Sequence, residues 1–490
     1  MRLKHLKMTK LFSINNKFKI GGISMYYRLN NNFAFRGWVG LPYAIKNIEI
    51  SEIEPFFCNK EKFDILIKCD GKTNIEINTL NRDIKDLLDR FVKIGVIETS
   101  DNPLEELKEY QKYKLYDTAY MESFLWSITG KCNYKCRHCL LSAPTSQQVQ
   151  LSLDDCIHII NELETSGVSN IDISGGEPLV RSDFWQIIDE LLKANIKVRT
   201  IFTNGRLINE KFIEELNKRN MYPNFQISFD GVGFHDWLRG VDGAEKETIR
   251  AIKLLTQNDR NVDCTMCIHK KNKDSLRNTA NFLAELGVRS LNINAPQCLG
   301  CWADYSGKYA LSEEEEIEVI KDYIPKYFED NAPININIDG YFTGYKGQKQ
   351  FLISHIHNVK SIDELSKMYI CKTARFKSYI SAEGKIMPCM GYSCSSIAGK
   401  FPSILEISLA EITTNSFYKD ITCTTKSKFL EKNKECRECE HLLHCAGGCS
   451  SCALNDTGDY CGIEQKHCNF FKKNFADEIR KAVPEGIVEK

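Results

Sequence analysis

From Phe124 to about Tyr327 the chain alternates between short apolar runs and longer segments in which apolar residues recur every three or four positions. The short runs, at 124–128, 170–174, 197–203, 224–229, 261–268 and 289–294, have the length of buried strands. The longer segments predict amphipathic helices. Leu153, Cys156, Ile157, Ile160 and Leu163 share one face of the first; Phe184, Ile187, Ile188, Leu191 and Leu192 share one face of the next, over 183–193. This alternation predicts an α/β fold, a parallel sheet forming a partial barrel of six β/α units over residues 121–327. In such sheets chemistry collects at the C-terminal ends of the strands. Those ends carry Cys132-Asn133-Tyr134-Lys135-Cys136-Arg137-His138-Cys139, Ser174-Gly175-Gly176-Glu177-Pro178, Thr203-Asn204-Gly205 and Ser228-Phe229-Asp230-Gly231, in that order.

Residues 25–100 have a pattern of their own. Phe33–Trp38 and Ile45–Ile50 read as strands, and Lys60–Lys68 as a helix stopped by Asp70-Gly71. Arg82–Lys93 reads as a helix with Ile84, Leu87, Leu88, Phe91 and Val92 on one face, ended by Gly95 and followed by a strand at Val96-Ile97-Glu98. Helix, helix, strand is a winged-helix pattern. Residues 101–120 are charged and read as a linker with a helix. Residues 328–368 connect the barrel to the C-terminal third, with Tyr341, Phe342 and Tyr345 expected to pack, the alternative being that they line a substrate groove. Glu313–Glu316 open a helix, where carboxylates suit the N-terminal dipole, and are expected to be solvated. Residues 1–24 are a basic lead-in without signal-peptide features, and Met25 is an alternative start.

Charge adds a constraint. Lys+Arg and Asp+Glu are both 65, which argues against a dominant nucleic-acid or membrane-surface role. No run of 18 apolar residues occurs, so no membrane span is expected. Cysteine changes the picture more. There are 21, eleven of them between Cys371 and Cys468. In a long chain without a secretion signal this predicts metal binding in a reducing compartment, the cytoplasm. The spacing C-x3-C-x2-C at Cys132, Cys136 and Cys139 can wrap three thiolates around one [4Fe–4S] cube and leave the fourth iron open. Unrelated cysteines, or half of a zinc site, are the alternatives.

The cysteine loop followed by Gly-Gly-Glu-Pro resembles the radical S-adenosylmethionine (SAM) superfamily over roughly residues 122–300. The resemblance implies a TIM-like partial barrel. It implies that Cys132, Cys136 and Cys139 ligate a [4Fe–4S] cluster whose open iron is chelated by SAM. His138 would meet the adenine through its backbone, and Gly175, Gly176 and Glu177 would hold the methionine amino group. Ser228 and Asp230 would contact ribose or carboxylate, and Arg239 the cofactor carboxylate. Reductive cleavage of SAM then gives a 5′-deoxyadenosyl radical that takes hydrogen from an unactivated carbon.

The C-terminal third, Cys371, Gly384, Cys389, then Cys436-x2-Cys439-x5-Cys445-x3-Cys449 and Cys468, resembles the SPASM domain over residues 369–475, before a tail of 476–490. A zinc ribbon would want a second C-x2-C pair. The resemblance implies two auxiliary clusters, hence three [4Fe–4S] clusters in all. Cys371, Cys389 and Cys449 would hold one, and Cys436, Cys439, Cys445 and Cys468 the other. The usual further cysteine before Cys371 is missing, so Cys394, Cys298 or Cys301 completes the first cluster, or it stays open. Cys461 competes for the place of Cys468, and Cys423 and Cys452 are unassigned. Cys58, Cys69, Cys156, Cys264 and Cys267 are expected as buried small hydrophobes.

The 25–100 segment resembles the leader-recognition domain of enzymes that modify ribosomally made peptides. Together the three parts imply a maturase that abstracts hydrogen from a precursor peptide and leaves a crosslink, with a cysteine thioether preferred. Carbon–carbon or other side-chain crosslinks, epimerisation and formylglycine formation are the alternatives. An iron–sulfur winged-helix regulator is the reading outside enzymes. A flavodoxin or ferredoxin would supply electrons. The catalytic base has no candidate.

Overall fold

In the computed structural model, residues 25–50, 53–143 and 149–490 are described. They divide into two compact units, one reaching to Tyr120 with Thr165–Gly167 added, the other running from Met121 to Lys490 apart from that insertion.

The first unit holds two small sheets. Strand β1 (Met25–Leu29) is flanked antiparallel by β5 (Asp70–Ile75) and β6 (Ile97–Ser100). Strands β2 (Phe33–Val39), β3 (Leu41–Asn47), β4 (Phe56–Phe57) and β7 (Lys114–Ala119) form the other, in the order β4-β3-β2-β7. Helices α1 (Lys60–Leu66) and α2 (Arg82–Lys93) start on Asn59 and Asn81, whose side chains accept from the amides of Lys62 and Ile84. Helix α2 buries Ile84, Leu87, Leu88 and Phe91.

This unit departs from the sequence pattern in three places. The first helix ends at Leu66, short of the expected Lys68, and Asp70-Gly71 instead starts β5, so a strand separates the two helices. The second strand spans Leu41–Asn47, four residues earlier than its apolar run suggests, because Gly40 at φ 78° makes a tight turn straight out of β2. Residues 101–120 are no free linker. Gln111 is fully buried and donates to the carbonyls of Leu29, Asn30 and Phe33, and β7 joins the sheet beside β2.

The second unit is built on one twelve-stranded sheet. Strands β8 (Ser123–Ser127), β9 (Asn170–Ser174), β10 (Lys197–Thr203), β11 (Asn224–Ser228), β12 (Val262–Cys267), β13 (Ser290–Asn294) and β14 (Asn335–Ile338) lie side by side in chain order, all parallel. Six of them are the strands expected from the apolar runs. Helix α3 (Leu153–Thr165) buries Ile159 where the periodicity chose Ile157, and α4 (Phe184–Lys193) buries Phe184, Ile187, Ile188 and Leu191. Helices α5 (Glu210–Lys218), α6 (His235–Arg239), α7 (Ala244–Gln257), α8 (Leu276–Glu285), α9 (Ala303–Tyr309) and α10 (Glu313–Glu329) complete the barrel segment.

The connecting region extends the same sheet through β15 (Phe342–Gly344) and β16 (Gln350–Leu352), where Tyr341 and Phe342 are buried. On the opposite edge, β17 (Lys377–Ile380) pairs parallel with β8 and antiparallel with β18 (Ile386–Met387). A last strand, β19 (Val488–Glu489), pairs with β16. The cysteine-rich C-terminal segment is thus continuous with the barrel sheet. Ser312 caps α10 in a reciprocal bond pair with Glu315, as the run of glutamates suggests. These carboxylates are not merely solvated: Glu316 is largely covered and pairs at 2.8 Å with Lys466, which also meets Asp339 at 2.9 Å.

Candidate functional site

The loop after β8 brings Cys132, Cys136 and Cys139 together. Each sulfur accepts one hydrogen bond: from the amide of Tyr134 at 3.4 Å, from Nη1 of Arg239 at 3.8 Å, and from the amide of Ala143 at 3.3 Å. Burial pushes the Cys132 thiol up to about 12 and that of Cys139 to about 11, and their neighbouring thiols add to the rise. Three desolvated thiols facing one another need a cation to give up their protons. Donors already aimed at the sulfurs stabilise them once ionised. Both features fit an iron–sulfur cluster.

The loop is fixed from two sides. The glycine pair after β9 lies against it: the amides of Gly176 and Glu177 donate to the carbonyls of Thr129 and Lys131 at 2.8 and 2.9 Å. A Cβ on Gly176 would sit 2.3 Å from the Lys131 oxygen, so only glycine fits. On the other side the amides of Lys135 and Arg137 donate to the carbonyls of Arg239 and Leu238. Gly240 ends α6 in the left-handed region, and a Cβ there would meet the Lys135 oxygen at 2.3 Å.

Two acidic residues expected to touch the cofactor are turned inward. The Glu177 carboxylate accepts from the hydroxyl of Thr203 and the amides of Asn204 and Leu179, at 2.8 to 3.1 Å. Burial raises it to about 7 against those three bonds. Its side chain joins the ends of β9 and β10, and its own amide and carbonyl bond to Lys131 and Val180. Asp230 is fully buried and takes two bonds from Arg239, at 2.7 and 3.1 Å, and one from the amide of Cys267 at 3.0 Å. Burial alone would raise its carboxyl, but the Arg239 guanidinium and His235 hold it far below the usual range. Asp230 therefore orients Arg239 and presents no free oxygen to a ribose. Arg239 in turn reaches Cys136.

His138 is buried beside this pair, and its Nδ1 has no partner among the described residues. Burial and Arg239 lower it to about 3, so the ring is neutral. An unpartnered ring nitrogen next to the third cysteine leaves room for a ligand's polar atom. Ser228 is half-buried at the end of β11. Cys267, expected as mere packing, brings its sulfur within 4.8 Å of Asp230 and His138. Because Arg239 already neutralises the carboxylate, these three make no separate cation site. The position of Cys267 at the end of β12 was the available signal.

Two more sets of cysteines form in the C-terminal segment. Cys371, Cys389 and Cys449 are mutual neighbours. Burial raises the first two thiols, Cys389 to about 11, and both feel Cys449. Cys449 begins the helix Ser450–Thr457, where Cys452 and the free amides of the first turn hold its thiol below the usual range. Cys436, Cys439, Cys445 and Cys468 line one cavity of about 420 Å³ counted to its mouth, with His441 and His467 beside them. Cys461 does not line it and is buried in the main core.

Of the candidates to complete the first set, two lie elsewhere. The Cys301 amide donates to the Cys139 carbonyl at 3.0 Å, and the Cys394 thiol donates to the Leu140 carbonyl at 2.9 Å, both at the barrel loop. Cys298 is exposed. Cys452 neighbours Cys449 alone of that set, and Arg375 donates to Cys423.

A three-thiolate loop at the C-terminal mouth of a parallel barrel, followed by a glycine-rich turn that clamps it, defines a radical SAM site. Known proteins agree. Residues 126–283 match the family model of the radical SAM superfamily, and residues 371–440 match that of SPASM, an iron-sulfur cluster-binding domain. The chain is a radical SAM enzyme with a SPASM domain. It is 25% identical to the AdoMet-dependent heme synthase of Methanosarcina barkeri, over 70% of this chain and 95% of that one. It is also 25% identical to the subtilosin biosynthesis protein AlbA of Bacillus subtilis, over 59% of this chain and 69% of that one. Among solved structures it resembles Streptococcus suis SuiB bound to SAM, at 17% identity and a TM-score of 0.61, covering 90% of this chain and 99% of that one. No helix among the described residues is long and apolar enough to cross a membrane.

Proposed function

We propose that this enzyme modifies a ribosomally made precursor peptide, abstracting a hydrogen and leaving a crosslink. The observation that carries the reading is the first unit. The heme synthase match covers 70% of this chain, whereas SuiB, also solved bound to its precursor peptide SuiA, is matched over 90%. A chain acting on a small porphyrin has no need of an added unit of two sheets and two helices. In the antiparallel sheet β5-β1-β6 the Leu104 amide already bonds to Gly71 on the β5 edge, whereas β6 pairs with no further strand among the described residues, and a leader peptide docks there as an added strand.

Each site residue then has a role. Cys132, Cys136 and Cys139 hold the cluster at which SAM is cleaved. The main chain of Gly175, Gly176 and Glu177 meets its amino group, His138 and Ser228 border its nucleoside, and Arg239, oriented by Asp230, meets its carboxylate. Cys436, Cys439, Cys445 and Cys468 hold one auxiliary cluster and Cys371, Cys389 and Cys449 the other. The latter keeps an open position, which suits capture of a substrate thiolate and hence a cysteine thioether. A flavodoxin or ferredoxin supplies electrons in a reducing cytoplasm.

The test is to co-express the enzyme with the short peptide encoded beside its gene and to weigh the product. Loss of two hydrogens identifies a crosslink, and fragmentation locates a thioether. An unchanged mass with inverted residues identifies epimerisation instead. A peptide left chemically unaltered by an enzyme that cleaves SAM would sink the reading.

A further inference from the structure

Lys426 is a buried cation in an unfavourable place. It is 5% exposed. It is the first residue of the helix Lys426–Lys432, whose N-terminal dipole repels positive charge. Among the described residues no carboxylate pairs with it. The ammonium rests 5.3 Å from the Phe429 ring and presses on the backbone at Gly447, where an added Cβ would lie 3.3 Å from Nζ. An isolated ammonium buried in this way is strongly unfavourable unless negative charge stands nearby.

Both C-terminal sets lie beside it. Gly447, against which Nζ rests, falls between Cys445 of the second set and Cys449 of the first. Thr425 pairs with Tyr369, and the Lys426 amide donates to the Met368 carbonyl at 2.7 Å, two and three residues ahead of Cys371.

We propose that Lys426 is the shared counter-charge of the two auxiliary clusters, setting their reduction potentials together. This rests on the cluster assignment above. Three or four thiolates leave a [4Fe–4S] cluster with net negative charge, and each reduction adds one more. A fixed cation buried between two such groups stabilises the reduced form of each and raises both potentials. It also lowers the repulsion between two clusters that must hold electrons in turn.

The experiment uses the full chain with Cys132, Cys136 and Cys139 replaced by alanine, so that only auxiliary clusters give a signal. Lys426→Met and Lys426→Arg are reconstituted anaerobically, assayed for iron and sulfide, and titrated with paramagnetic resonance detection. Lys426→Met should bind the parent's iron and show midpoint potentials shifted to more negative values, while Lys426→Arg stays near the parent. Full iron with unshifted potentials in Lys426→Met overturns the proposal. If Lys426→Met loads poorly, recovery by Lys426→Arg supports a charge role, and equal failure of both variants overturns it in favour of packing. A parent chain that binds no iron refutes the auxiliary-cluster reading itself, and the proposal falls with it.

Discussion

Replacing Asp230 with asparagine removes one half of a buried ion pair. Both side chains lie inside the barrel mouth, Asp230 at 0% exposure and Arg239 at 8%, so solvent screens neither. The pair is bidentate at 2.7 and 3.1 Å, and the same carboxylate accepts from the Cys267 amide. Breaking a buried pair by losing one partner costs ~3–5 kcal/mol, because the other charge is left without compensation. For the unit of Met121–Glu164 and Val168–Lys490 each kcal/mol lowers the melting temperature by roughly 1–2 °C. Asp230→Asn should therefore melt about 5 °C below the parent, followed by circular dichroism under anaerobic conditions. The double variant Asp230→Leu/Arg239→Met removes both charges and should recover much of that loss. The freed guanidinium no longer faces Cys136 in a fixed pose, so 5′-deoxyadenosine formation with dithionite should fall in Asp230→Asn. A parent-like melting curve in Asp230→Asn would refute the claim that this pair organises the site.

Glu177 gives a pH signature. Its folded carboxyl is raised to about 7, so the folded state binds its proton more tightly than the unfolded chain, and stability falls as pH rises from the ordinary carboxylate range to about 7. Glu177→Gln should flatten that decline in melting temperature between about pH 5 and 7.5, and an equal slope would remove the effect. Cys468→Ala should cost about four irons per chain, while Cys461→Ala should cost none; iron analysis reversing that order would exchange their roles. Gly240→Ala forces a Cβ to within 2.3 Å of the Lys135 oxygen at a left-handed position, and should release the cysteine loop and its cluster absorbance. Deleting residues 1–120 rather than 1–100 keeps β7 from being stranded without β2, and should abolish turnover of full precursor while SAM cleavage persists; undiminished turnover would refute leader docking.

The barrel was legible because each parallel strand is covered on both faces and therefore reads as an apolar run. Strands β14 to β16 were not, since three or four residues such as Asn335–Ile338 carry too little pattern to stand out. The resemblance to the SPASM domain implied the cysteine sets that the fold brings together, even across the gap from Cys389 to Cys449. What spacing could not tell is which charges are buried. Asp230 and Glu177 read as free acids at strand ends, and only the packed structure shows their oxygens engaged by Arg239, Thr203 and Asn204. Lys426 carries no sign of its burial in the sequence, because burial of a single long side chain leaves no periodic trace.

The parallel pairing of β17 with β8 has a consequence for how the chain comes off the ribosome. Ser123–Ser127 is made early and Lys377–Ile380 long afterwards, so the first barrel strand waits with an unpaired edge while the rest of the barrel is synthesised. Such non-local closure is slow, and the exposed backbone invites pairing with other chains. Fragments ending before residue 377 should aggregate, whatever metal they are given. Iron supplied to the cell only after translation would find the sheet already closed, with the C-terminal cysteines held next to the barrel by hydrogen bonds that need no cluster.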